Sequence, residues 1–201
     1  ALRMTHEAAS TSCAPSVNLS CLIISLHIND VAEAFRPPGS AAMPSTFRRK
    51  RNRLPLETYR GARAYFLTLS CARRGAVFTE DRVVESCIGV LHSCSEKHGF
   101  AVLAYCFMPD HLHLLVEGDP ESDLPQFVKD FKQQTAYAHR RSNSGVLWQK
   151  SYYDHILRAE EDVRDVARYI IANPVQRALV TVASDYPYSG SFVWGRTIVE
   201  A

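Results

Sequence analysis

The chain is predicted to be an α+β protein built on a ferredoxin-like β-α-β-β-α-β sheet, with one further helix after it. Three observations predict this. Short β-prone runs and helix-periodic runs alternate in that order from residue 64 onward. Turn and cap residues separate them at each boundary. One run, Cys106-Phe-Met-Pro-Asp-His-Leu-His-Leu-Leu-Val116, also puts polar and apolar side chains on opposite faces of a strand.

The elements follow in order. Arg60-Gly61 leads into Ala64-Tyr-Phe-Leu-Thr-Leu-Ser70, an aromatic and β-prone run that reads as a strand. Thr79-Glu80-Asp81 then offers an N-cap and first-turn acids for a helix over 81–98, with Val84, Cys87, Ile88 and Leu91 at helical spacing. Gly99 ends it. Phe100–Phe107 is the second strand, Met108-Pro109-Asp110 a turn, and 111–117 the third strand. Ser122 or Asp123 caps a second helix to about Arg140, with Pro125 tolerated in its first turn. Leu147-Trp148 and Tyr152–Leu157 form a fourth extended stretch. Glu160-Glu161-Asp162 opens a third helix to about Ala172, which Pro174 is expected to limit; a short turn near 175–179 and an aromatic loop, Tyr186–Phe192, follow.

With 201 residues, 46% hydrophobic and 22% charged, the chain suits one globular domain. The net charge is only +2, but Arg48, Arg49, Lys50, Arg51, Arg53, Arg60 and Arg63 face a single acid, Glu57. The stretch 43–63 therefore reads as a basic arm, suited to phosphate contact or to solvation alone. Residues 1–42 read as a poorly ordered extension, with Met43 resembling an ordinary protein start. Their apolar run Cys21–Leu26 is too short to cross a bilayer, so no membrane partner is expected. The six cysteines show no CxxC pair or zinc spacing and read as buried thiols of a reducing compartment, here the cytoplasm.

His111 and His113 alternate with Leu112, Leu114 and Val116, so both imidazoles share one face of a strand backed by core. That is a rigid way to present two metal ligands; two hydrogen-bonded surface histidines are the bland equivalent. A hard divalent ion would need a further oxygen or nitrogen, and the Asn173 amide can supply one. Tyr169 lies four residues before Asn173 on the same helix face. A phenol is in general a poor nucleophile near neutral pH, with a pKa of about 10, and a cation that polarises the phosphate makes its attack feasible. Tyr152 and Tyr153 are rival nucleophiles, only one of which can face a given site, or else packing and stacking residues. Asp154, His155 and Glu117 are possible extra ligands or acid–base groups. Lys150, Arg158, Arg164, Arg168 and Arg177 flank the region as potential phosphate contacts. Tyr186, Tyr188, Phe192 and Trp148 offer ring faces for unstacked bases, with core packing the better reading for Trp148. His92, His98 and His139 read as peripheral.

Three blocks, Phe107–Val116, Leu147–His155 and Tyr169-Ile-Ile-Ala-Asn-Pro-Val175, together resemble the single-tyrosine transposases of the HUH endonuclease superfamily, and within it the REP-associated tyrosine transposases. The resemblance covers about residues 46–194. It implies a ferredoxin-like fold, with His111 and His113 as metal ligands, Asn173 completing the site, and Tyr169 as nucleophile. In mobile relatives the third ligand is often Gln. It further implies Mg²⁺ or Mn²⁺ as cofactor and single-stranded hairpin DNA from REP-like palindromes as partner. Cleavage and rejoining would pass through a 5′-phosphotyrosine, in a monomer or a homodimer. Arg48, Arg49, Lys50, Arg51, Lys150, Arg158 and Tyr188 are the candidate DNA contacts. The alternatives are a metal-dependent phosphodiesterase that uses water, and a nucleic-acid-binding regulator without catalysis.

Overall fold

The computed structural model describes residues 56–195. Within them run β1 (Ala64–Ser70), α1 (Asp81–Lys97), β2 (Phe100–Met108), β3 (His111–Gly118), α2 (Leu124–Ser142), β4 (Tyr153–Ile156), α3 (Val163–Gln176) and β5 (Ser189–Gly190), with short 3-10 turns between some of them. The strands form one sheet in the order β4-β1-β3-β2-β5, every neighbouring pair antiparallel. The first four give the ferredoxin-like order expected, and the two-residue β5 adds a fifth strand at the β2 edge. The expected extension over residues 1–42, and Arg48, Arg49, Lys50 and Arg51 of the arm, lie outside the described residues.

Alternation along the strands divides the side chains between two faces. Tyr65, Leu67 and Leu69 of β1 join Leu112, Leu114 and Val116 of β3 on the first. Against them α1 turns Val84, Cys87, Leu91 and Cys94, whose spacing is that of one helical stripe. The second helix adds Leu124, Phe127, Val128 and Phe131. Trp148 belongs to this core, as expected, and its indole Nε1 donates to Thr135 Oγ1 at 2.8 Å. Asp123, rather than Ser122, caps α2 by accepting from the Gln126 amide at 3.0 Å. Cys71, Cys87, Cys94 and Cys106 are buried free thiols.

The second face carries Phe66 and Thr68 of β1, paired with Leu115 and His113 of β3. β2 reaches this face through a bulge. Val102 pairs with Val116 and Ala104 with Leu115, so Leu103 is an extra residue that inverts the alternation. Beyond it, Cys106 and Met108 lie beside His113 and His111, while Phe107 faces α1 and α2. This second face is closed by α3, which packs on β2 and β3 of its own chain. Val166, Ala167, Ile170, Ile171, Asn173 and Pro174 are its buried positions.

Pro174 does not stop α3, contrary to the sequence expectation. The helix continues to Gln176, and the separate turn expected at 175–179 is its C-terminal end. A proline inside a helix removes one amide donor to the preceding turn. Here Pro174 is buried, and the end is closed by Arg177 N donating to Asn173 O and Leu179 N to Pro174 O, around Ala178 at φ 54°.

Gly99, at φ +66°, turns the chain from α1 into β2, and an added Cβ would stand 2.0 Å from the Asp119 carboxylate. Gly99→Ala is expected to lose about 1–2 kcal/mol of stability from left-handed strain alone. Urea unfolding of the two proteins measures it as a lowered midpoint with an unchanged slope.

Candidate metal and tyrosine centre

The pairing of β3 with its neighbours builds the centre. Thr68 and Ser70 of β1 stand opposite His113 and His111. Both histidines are nearly enclosed, at 4% and 2% exposure. Their rings meet at 87°, with His111 Nε2 and His113 Nε2 separated by 3.0 Å. Two nitrogens ~2.1 Å from one ion and at right angles around it would lie about 3.0 Å apart.

The outer ring nitrogens are held as metal-binding histidines require. His111 Nδ1 donates to Asp110 Oδ1 at 2.6 Å, which leaves its Nε2 lone pair directed inward. His113 Nδ1 is 3.1 Å from Thr68 Oγ1, a hydroxyl able to donate or accept and so to serve either tautomer. Arg74 Nη1 donates to Asp110 Oδ2 at 3.2 Å. Burial pushes the Asp110 carboxyl up, but the His111 and Arg74 contacts outweigh it and hold its pKa below the ordinary value. Burial, first, and then the electrostatic influence of neighbouring His111, Arg177 and Arg74 keep His113 well below its usual pKa, hence neutral and able to ligate.

Arg73 and Arg74 follow β1 with φ of 55° and 56°, a strained conformation for side chains of this size. Backbone bonds from Cys71 N to Asp110 O and from Phe78 N to Pro109 O tie this segment to the turn before His111.

Tyr169 is half-buried on α3. Its ring centroid lies 6.4 Å from that of His113 and 6.4 Å from Phe66, edge-on to the latter. Asn173, 5% exposed, donates Nδ2 to Tyr169 O at 2.8 Å, so its amide oxygen is the end not used in that bond. Among the described residues no group of three or more His, Cys, Asp or Glu forms a metal cluster. The residues fit a divalent ion held by two imidazoles, with an amide or further oxygens completing its shell.

Other candidates separate from this centre. Tyr153 and His155 of β4 share the histidine face, whereas Asp154 turns to the other and accepts from Tyr59 Oη at 2.6 Å. His155 is engaged with Glu161 at 2.9 Å, and Glu117 is exposed at the far end of β3, opposite Ala64. Tyr152 packs on the α1–α2 core beneath Lys132. Tyr188 lies on the α1 side of the sheet, packed on the core, with its hydroxyl donating to Asp81. Tyr186 is buried with its hydroxyl donating to Phe107 O at 2.7 Å, and Phe192 packs on His92 and Tyr105. These rings close the β2 edge because β5 pairs there. Lys150 and Arg158 are exposed, and Arg158 borders a cleft with Arg63 and His155. His92 and His98 pair with Glu96 and Asp130, away from the centre.

Thr68, Asp110 and Arg74 were not singled out from sequence. Asp110 adjoins His111 and could have been; Thr68 requires the β1–β3 register, and Arg74 the fold of its turn.

The chain belongs to the IS200-like transposases: the family model described as "Transposase IS200 like" matches residues 62–173. Within that family it is a REP-associated tyrosine transposase by similarity. A protein of Haemophilus influenzae assigned that name is 30% identical over 139 residues, covering 62% of this chain and 77% of the relative. The ISDra2 transposase TnpA of Deinococcus radiodurans is 30% identical over 131 residues, 58% of this chain and 91% of its own. A solved REP-associated tyrosine transposase bound to a REP hairpin shares the fold, with TM-score 0.56 and 24% identity over 73% of this chain and 82% of that one.

Asp110→Ala is expected to weaken Mn²⁺ binding by about 10–100-fold, because His111 loses its orienting acceptor. Isothermal titration measures the affinity, and an unchanged circular dichroism spectrum confirms the fold. Stability of the metal-free protein should also fall on acidification. The unfolded chain protonates His113 near its ordinary value of 6.5, while the folded chain does so only at much lower pH. The unfolded state therefore binds more protons below that value, and stability rises with pH through this window. Denaturant midpoints measured across it should show a shallower slope for His113→Asn.

Proposed function

We propose that this protein cuts and rejoins single-stranded DNA beside hairpins formed by REP-like palindromes, through a covalent 5′-phosphotyrosine on Tyr169. The observation that carries the reading is the placement of Tyr169, 6.4 Å ring to ring from His113, on a helix docked against the sheet of its own chain. The REP hairpin bound to a protein of the same fold supports the choice of substrate.

His111, His113 and Asn173 are the proposed ligands of Mg²⁺ or Mn²⁺. When bound, that ion polarises the scissile phosphate and offsets charge as the leaving oxygen departs. The Tyr169 phenolic oxygen forms a bond to phosphorus while the P–O3′ bond breaks. The phenol loses a proton and the departing 3′ oxygen gains one, so protons balance. One phosphodiester replaces another, and a returning 3′-hydroxyl reverses the step without an external energy source. The histidines serve as ligands rather than as the general base. Arg74 and Arg177, whose charges act on His113, favour an approaching phosphate. Arg48, Arg49, Lys50, Arg51, Lys150 and Arg158 are proposed contacts along the DNA backbone. The packing of α3 on β2 and β3 of its own chain supports a centre carried by one chain, acting as a monomer or within a homodimer. The reaction is placed in the cytoplasm, where DNA and reduced thiols coexist.

Labelled single-stranded hairpin DNA from beside the gene, incubated with protein and Mn²⁺, should yield a slow-migrating adduct on a denaturing gel. The adduct should vanish with chelator and in Tyr169→Phe. Cleavage without an adduct would instead indicate a water-using phosphodiesterase. Chelator-independent binding without cleavage would indicate a regulator.

A further inference from the structure

We propose that Tyr153 is the stacking platform for a nucleobase beside the scissile phosphate, an inference that rests on the DNA-cleaving reading above. The register places Tyr153, Thr68 and His113 in one row across β4, β1 and β3, all on the same face of the sheet. Two strand spacings, about 10 Å, separate Tyr153 from His113, a reach that spans from a phosphate to an adjoining base.

Tyr153 is held rather than loose. Phe66 lies against three of the rings on this face: stacked on His113 at 5.6 Å, and edge-on to Tyr153 at 6.3 Å and to Tyr169 at 6.4 Å. One apolar ring thus ties the proposed metal ligand, the proposed nucleophile and Tyr153 into a single layer. Yet Tyr153 is 50% exposed, although Phe66 beneath it is buried. A large aromatic side chain on a strand, fixed from below and open above, offers a π-face to an unpaired base. Among the described residues β4 is the sheet edge, and no described strand covers that side.

The same environment argues against Tyr153 as a rival nucleophile. Partial burial, then the carboxylates of Asp154 and Glu161, raise its phenol above the ordinary value and disfavour phenolate. Stacking needs only the ring. The contact is therefore insensitive to base identity and acts on placement of the strand, leaving sequence recognition to other groups.

The test pairs protein and DNA changes. Hairpin DNA with its flanking single strand is made intact or with one abasic nucleotide at each position beside the cleavage site. Binding is measured for wild type, Tyr153→Phe and Tyr153→Ala without Mn²⁺, so that chemistry does not intervene; Mn²⁺ titration checks that the histidine centre is intact in each. An abasic nucleotide at one position should weaken wild-type binding by about 5–150-fold, the range found for loss of one base–aromatic stack. Tyr153→Phe should behave as wild type. Tyr153→Ala should bind the intact DNA more weakly by a similar factor and lose nothing further at that abasic position. Independent, multiplying losses at every position would overturn the inference while leaving the DNA-cleaving reading intact. Failure of wild type to bind any such hairpin would overturn both.

Discussion

The antiparallel pairing of β1 with β3 is the constraint on which the rest depends. Its register sets Thr68 against His113 and Ser70 against His111. Strand side chains alternate with a period of two, so slipping by one residue would turn both histidines into the apolar α1–α2 core and carry Leu112 and Leu114 out of it. The pressure to bury those leucines therefore also keeps the imidazoles on the opposite face. Core formation and site formation are one event here. Thr68 illustrates it: a polar side chain at 7% exposure, retained between fully buried Leu67 and Leu69 of the same strand.

The second face is finished by a helix, and this sets the chemistry available. A sheet presenting only two histidines would leave them open to water and free to protonate. With α3 across β2 and β3, His113 is enclosed and kept neutral, and Tyr169 is brought into the same aromatic layer. Dense apolar packing at Val166, Ala167, Ile170 and Ile171 positions a polar residue, Asn173, that the helix would otherwise show to solvent. The polar centre is thus framed by burial on three sides.

Much of this was legible in the chain. Alternation in His111–Val116 revealed the two faces of β3, and the spacing of Val84, Cys87 and Leu91 revealed the stripe of α1. The i, i+4 relation of Tyr169 and Asn173 placed them on one helical face. What was not legible depended on partners distant in sequence. Nothing local to Thr68 announces a role, because its importance lies in what β1 pairs with. Pro174 suggests a stop by local rules, whereas in the structure it is buried within the last turn of the helix. The rings of Tyr186–Phe192 suggested stacking on bases, but the β2 edge needed closing, and they are used there. Tyr153 and Asp154 could be assigned to opposite faces only once the pairing of β4 with β1 was known.

The bulge at Leu103 carries an evolutionary consequence. Upstream of it, β2 alternates in one phase; downstream, in the other. Because Leu103 is the extra residue, deleting it would set Val102 and Ala104 in ordinary alternation against Val116 and Leu115, leaving Tyr105 and Phe107 on the α1 side and Cys106 beside His113. A residue inserted elsewhere in β2 must likewise bulge out, or every side chain beyond it changes face. Descendants of this chain can therefore lose the irregularity in β2 and keep the histidine pair, provided the remaining residues hold the same register.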